Sequence, residues 1–144
     1  MIRRILLPVD DSAAALAATR TALELAAATG ATVHALHVVA DHMLGATLRA
    51  STSSDVDERR AAAADSLLAH VAKLAHDAGV TMTTEQATGE PARCILDRAR
   101  TWRADLVVLG RADHRGPGQP YIGHHTQHIL EFAEQPVLTV PRPS

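Results

Sequence analysis

Five short runs suited to strands, separated by four longer stretches of helical character, leave this chain few folds to adopt. Residues 3–9, 32–39, 106–109 and 136–140 are short and apolar, as buried strands are, while 80–87 alternates apolar and polar side chains like a half-buried strand near an edge. Between the first two runs, residues 13–29 are alanine-rich, with Leu16, Leu23 and Leu25 in support. That helix is expected to start at Ser12 as N-cap and stop at Gly30 in the C′ position. Residues 55–78 predict a long helix with Val56, Leu67, Leu68, Val71, Leu74 and Ala75 on its inner face. Its acidic start, Asp55, Asp57 and Glu58, suits the helix dipole, and Gly79 ends it. Gly89-Glu90-Pro91 opens a third helix, where a first-turn proline loses no hydrogen bond. Ile95, Leu96 and Ala99 face inward there. A fourth opens at Gly123 and carries Ile129, Leu130, Phe132 and Ala133. Strands alternating with helices in this way predict an α/β fold: an open, doubly wound, five-stranded parallel sheet with right-handed crossovers and helices on both faces.

At 144 residues and 47% hydrophobic, the chain fits a single domain over 1–144 that buries roughly 70% of its unfolded surface. A formal charge of −2 provides no basic footprint for nucleic acid, and the three aromatics, Trp102, Tyr121 and Phe132, are too scattered to stack bases. The run Ile5-Leu6-Leu7 behind Arg3-Arg4 is too short for a signal peptide or a membrane span. A lone Cys94 cannot close an intrachain disulfide, so a reducing cytoplasm is the expected compartment and a small packed hydrophobe the expected role.

Chemistry concentrates in residues 105–128. An apolar run, Leu106 to Leu109, stops at Gly110, as at a sharp turn. A polar loop with Arg111, His114, Arg115, Gly116 and Gly118 follows, and then the helix start at Gly123. Strand, glycine-rich loop and helix N-terminus together form an anion cradle whose expected guest is a phosphate. In a doubly wound sheet ligands bind beyond the carboxyl ends of the strands where the winding reverses. With the first and fourth strands as neighbours there, residues 8–12 and 110–123 share one crevice. Residues 40–54 lack a helical period and contain Gly45 and a Ser-Thr-Ser-Ser run, so they are expected to form a loop near the same end.

Taken in order, residues 5–12 (Ile-Leu-Leu-Pro-Val-Asp-Asp-Ser), 35–39 (Ala-Leu-His-Val-Val), 89–92 (Gly-Glu-Pro-Ala), 104–110 and 135–141 (Gln-Pro-Val-Leu-Thr-Val-Pro) resemble the universal stress protein family over essentially the whole chain. The resemblance implies strand order 3-2-1-4-5, a role in stress response and a homodimer through the last strand, residues 136–141. One branch of that family binds ATP through a glycine, two residues, a second glycine, nine residues, then a glycine and a hydroxyl residue. Gly110 and Gly123 match the first and third glycines, while Asp113 and His124 replace the second glycine and the hydroxyl. By resemblance, base and ribose lie against Pro8, Val9, Asp10 and Val38, with Leu109 and Gly110 beneath sugar and phosphates. The cofactor so implied is ATP or another adenine nucleotide, held by a degenerate phosphate loop in which Arg111, Asp113, Gly123, His124 and His125 are the candidate contacts. Asp113 opposes phosphate charge, whereas Arg111 and Arg115, or a magnesium ion bridging Asp113 to the phosphates, offset it.

Other constellations are weaker. His124, His125 and His128 with His114 could place imidazoles near one another, but no Cys or HExxH accompanies them, so no metal site is assigned. His34 and His37 fall on opposite faces of one strand and cannot chelate together; His70 and His76 belong to the outer face of their helix. Asp10-Asp11 suits a phosphorelay receiver, but that class also needs an aspartate after strand three and a lysine after strand five, where this chain has residues 85–88 and Pro141-Arg142-Pro143. No GxSxG elbow or other strong enzyme signature is present; slow ATP hydrolysis is the most that the loop suggests, and no catalytic residue is assigned. The competing functional reading is a nucleotide-independent dimeric interaction module of the same fold, acting on a protein client the sequence does not identify.

Overall fold

The computed structural model describes residues 1–40, 53–111 and 124–143. Its strands are β1 (Arg4–Pro8), β2 (Thr32–Ala40), β3 (Met82–Gly89), β4 (Leu106–Arg111) and β5 (Val137–Pro141). Its helices are α1 (Ala13–Thr29), α2 (Ser53–Asp77), α3 (Pro91–Thr101) and α4 (His124–Phe132). All pairings are parallel and the sheet order is β3-β2-β1-β4-β5, the expected doubly wound arrangement. The polar alternation of β3 reflects its place at one edge; β5 forms the other. Several bounds move by a residue or two. β2 extends through Ala40 and α2 begins at Ser53, so the interval assigned to a loop is shorter at both ends, and residues 41–52 lie outside the described set.

Each face of the sheet has its own core. Odd-numbered β1 side chains, Ile5 and Leu7, pack with Val33, Ala35 and Val108 against Ala18, Ala22 and Leu23 of α1 and Leu68, Val71 and Ala75 of α2. Leu6, Leu36, Val107 and Leu109 face the other way, against Ala92, Ile95 and Ala99 of α3 and Ile129 of α4. In α1 the buried stripe is mostly alanine: Ala14, Ala15, Ala18, Ala22 and Ala26 join Leu23, while Leu16 and Leu25 are half-buried. Small side chains let this helix approach the sheet closely, and leucines flank the contact. The helix is capped as its sequence predicts. Ser12 Oγ accepts from the Ala15 N–H at 3.0 Å, and Gly30 takes a left-handed φ of 77°.

Asp105 ties the amino-terminal ends of the two central strands together. Its Oδ2 accepts from the Arg3 and Arg4 N–H groups, both at 2.9 Å. These two bonds hold its carboxyl below the usual carboxylate range. A group depressed in the folded state stabilises above its unfolded pKa and loses that contribution as pH falls through its folded value. Asp105→Asn is therefore expected to cost about 1 kcal/mol or less at neutral pH, given its exposure. The difference from wild type should vanish in acid. Urea titrations at neutral and acid pH measure this; a gap that persists unchanged into acid would show that the charge contributes nothing.

Candidate functional site

Residues 8–12 and the described part of the second stretch, Gly110 and Arg111, lie at the carboxyl ends of β1 and β4, the neighbours between which the winding reverses. β1 pairs with β2 through Pro8↔Leu36, but with β4 at Ile5↔Leu106 and Leu6↔Val107. Pro8 and Leu109 thus lie beyond the paired segment of β1 and β4. Val38 and Leu109 pack on the α3/α4 side of the sheet, and Pro8, two residues after Leu6, shares that face. Three of the candidate residues therefore form an apolar floor.

The turn after β1 is held by a chain of hydrogen bonds. Val9 donates its N–H to the Leu36 carbonyl at 2.9 Å and accepts at its own carbonyl from His37 Nδ1 at 2.8 Å. Asp10 is exposed, and its Oδ1 accepts from the Ser12 N–H at 2.9 Å. Oδ2 carries no bond among the described residues. Asp10 is thus oriented by one oxygen and presents the other as an acceptor, the chemistry that a ribose hydroxyl or an amino group requires.

Gly110 is not the turn its sequence suggests. It lies within β4, opposite Val140, and its φ is not in the left-handed region. The lack of a side chain is needed for another reason. A Cβ there would meet the backbone of α1, 2.5 Å from the Ala14 carbonyl carbon, 2.6 Å from its oxygen and 2.8 Å from the Ala15 nitrogen. Gly110 lets the end of β4 press onto the first turn of α1. The strand then closes at Arg111, half-buried and opposite Pro141. Asp113 and Gly123 lie outside the described residues, and His124 is the first residue of α4.

His125 is exposed and turns toward α3, with Nδ1 3.3 Å from Glu90 Oε1. Glu90 is the N-cap of α3, accepting from the Ala92 N–H at 3.1 Å and the Arg93 N–H at 2.8 Å. Burial pushes its carboxyl up, but the two backbone donors and the charges of His125 and His128 outweigh that and leave it lowered. This link between α4 and α3 escaped the sequence reading because glutamate is not among the favoured N-caps.

The remaining polar residues divide as the strand period requires. His34 lies on the α3 side, with Nδ1 2.6 Å from Thr83 Oγ1 and Nε2 2.8 Å from Glu85, which Arg98 also pairs. Burial raises Glu85, and the bonds from His34 and Arg98 more than reverse it. His37 points to the opposite face. There, beyond the end of β2, Asp11, His37, Arg60, Ala63, Ala64 and Leu67 contribute to the lining of a cavity of about 350 Å³. No local pattern signals this cavity, because its lining joins Asp11, the end of β2 and α2, which are separate in the chain. Burial, then Glu90 and Asp97, push the Cys94 thiol up, which suits packing rather than reactivity. Among the described residues no group of three His, Cys, Asp or Glu side chains could hold a metal ion, and no helix is long and apolar enough to cross a membrane.

Comparison with known proteins agrees with this architecture. The model of the universal stress protein family matches residues 1–141. The universal stress protein MJ0531 of Methanocaldococcus jannaschii is 29% identical over 144 residues, covering 99% of this chain and 84% of the relative. The solved structure of the protein MJ0577 superposes with a TM-score of 0.85 at 20% identity, over 100% of this chain and 99% of that one. A family member from Arabidopsis thaliana, solved with AMP bound, gives a TM-score of 0.74 at 23% identity over 99% and 93% of the two chains.

Proposed function

We propose that this chain, which belongs to the universal stress protein family, binds an adenine nucleotide at the reversal point between β1 and β4 and acts in the stress response through that site. One observation carries the reading: Asp10 is oriented by the Ser12 N–H with a second oxygen unbonded, beside an apolar floor of Pro8, Val38 and Leu109. Base and ribose lie on this floor with Asp10 accepting from a hydroxyl or amino group, and the phosphates extend toward Gly110, Arg111 and the loop leading to His124 and His125. The AMP bound to the Arabidopsis relative supports an adenine nucleotide as the ligand. Asp113 in place of glycine and His124 in place of a hydroxyl weaken the phosphate end, so the preferred guest carries few phosphates, and magnesium assists only where several are present.

Asp10→Ala tests the assignment. Losing a charge-assisted acceptor is expected to weaken AMP binding by tenfold or more, at about 1.5–3 kcal/mol for such a bond. Stability should change little, because the carboxylate is exposed and bonds only the Ser12 N–H among the described residues. Equal AMP affinity in variant and wild type, measured by calorimetry, would remove Asp10 from the site.

The working assembly in this proposal is a cytoplasmic homodimer joined along β5. Leu138 on this edge strand is 37% exposed, and Leu130 and Phe132 of α4 are 42% and 59% exposed. An apolar edge of this kind calls for a cover. Sedimentation equilibrium on wild type and Leu138→Asp checks it, with a dimer expected for the first and a monomer for the second.

A further inference from the structure

We infer that the cavity at the end of β2 is a second binding site, separate from the nucleotide crevice, and that it takes a small aliphatic amino acid as its zwitterion. Its place in the fold sets it apart. Side chains alternate along a strand, so His37 and Val39 face α2, whereas Val38 between them packs on the crevice floor. The two sites therefore lie on opposite faces of the sheet.

The cavity exists because of what α2 carries there. Arg60, Ala63, Ala64 and Leu67 line it, spaced as one stripe of a helix. Further along the same face, Leu68 and Val71 fill the space over the sheet. Toward its start α2 reads Ala61-Ala62-Ala63-Ala64, and alanine does not reach as far. A volume of about 350 Å³ stays open, at the lower end of the range for small-molecule sites.

Three elements each bring one polar side chain to this cavity: Asp11 from the turn after β1, His37 from β2 and Arg60 from α2. Asp11 and Arg60 carry opposite charges, yet neither makes a hydrogen bond or ion pair among the described residues. His37 adds a second acceptor. A carbonyl oxygen can only accept, so the 2.8 Å contact between His37 Nδ1 and the Val9 carbonyl places a proton on Nδ1. The neutral ring then presents Nε2, which has no partner among the described residues, as an acceptor.

A guest that answers all three groups carries both charges. An ammonium has three donors and no acceptor, which suits the Asp11 carboxylate and His37 Nε2. A carboxylate matches the fork of the Arg60 guanidinium. Val39, Ala63, Ala64 and Leu67 supply apolar walls for an aliphatic body between or beside the two charges. An amine alone leaves Arg60 unanswered, and a phosphate sets its charge against Asp11.

Calorimetric titration of the full chain uses two probes: L-leucine, whose charged groups share one carbon, and 5-aminopentanoate, whose charged groups stand at opposite ends. At least one is expected to bind saturably, and the better of the two reports the charge spacing of the site. Analogues of that compound lacking the amine or lacking the carboxylate should bind about tenfold or more weakly. Asp11→Asn and Arg60→Gln should each weaken it by about the same factor, with an unchanged unfolding midpoint, since neither side chain is bonded among the described residues. Ala63→Leu, at an exposed position of α2, fills the cavity and should abolish binding. Failure of wild type to bind either probe would overturn the inference. Binding that survives unchanged in Arg60→Gln and Ala63→Leu would also overturn it, as would analogues with one charge that bind as tightly as the parent. The nucleotide reading stands or falls separately, because none of these outcomes involves the crevice.

Discussion

Gly110→Ala is expected to destabilise the protein by about 3 kcal/mol, the upper part of the usual range for an over-packed position. For a chain of this length that corresponds to a fall of roughly 10 °C in the unfolding midpoint. The cause is a contact with backbone: the added Cβ would stand 2.5 to 2.8 Å from three main-chain atoms of Ala14 and Ala15. A long side chain can swing away from such an intruder, but the first turn of a helix can retreat only by moving α1 off the sheet. Gly30→Ala provides the contrast. A Cβ at Gly30 meets nothing within 4 Å, but its φ is 77°, so that substitution should cost only about 1 kcal/mol through backbone strain. Denaturant unfolding of both variants compares the two mechanisms. A Gly110→Ala protein no less stable than Gly30→Ala would contradict the close packing of β4 on α1.

Asp113→Gly is expected to act in the opposite sense and on the ligand. A carboxylate about 6 Å from a phosphate charge, at an effective dielectric near 20, opposes binding by roughly 3 kcal/mol. Salt and the neighbouring Arg111 and Arg115 reduce that figure, so ATP affinity should rise by tenfold or more rather than by the full hundredfold. AMP, with one phosphate nearer the ribose, should gain less. An equal gain for the two nucleotides would show that loop shape, and not charge, is what glycine restores.

The parts of the fold that were legible in the sequence are those fixed by local chemistry. Ser12 and Gly30 bound α1 because a hydroxyl at an N-cap and a glycine at a left-handed position are needs of single residues. The period of two placed His34 and His37 on opposite faces, and the alternation of short runs with helices gave the parallel sheet. Legibility failed where a residue's role depends on a distant neighbour. Gly110 reads as a turn until the backbone of α1, almost a hundred residues earlier, is beside it. Leu16 and Leu25 attract attention in α1, yet alanines occupy its closest approach, because burial there is limited by space and not by hydrophobicity. At the site, Pro8, Val38 and Leu109 are brought onto one face by register that only the sheet order supplies. The bond from His37 to Val9 and the one between His125 and Glu90 likewise join separate elements.

Calorimetric titration of the wild-type protein with AMP, ADP and ATP, with and without magnesium and after bound nucleotide has been stripped, tests the central claim most directly. The account predicts saturable binding of AMP, with ATP no tighter in the absence of magnesium, as an intact base and ribose site joined to a weakened phosphate loop requires. Absence of binding by all three nucleotides would contradict it and leave the fold as a nucleotide-independent interaction module.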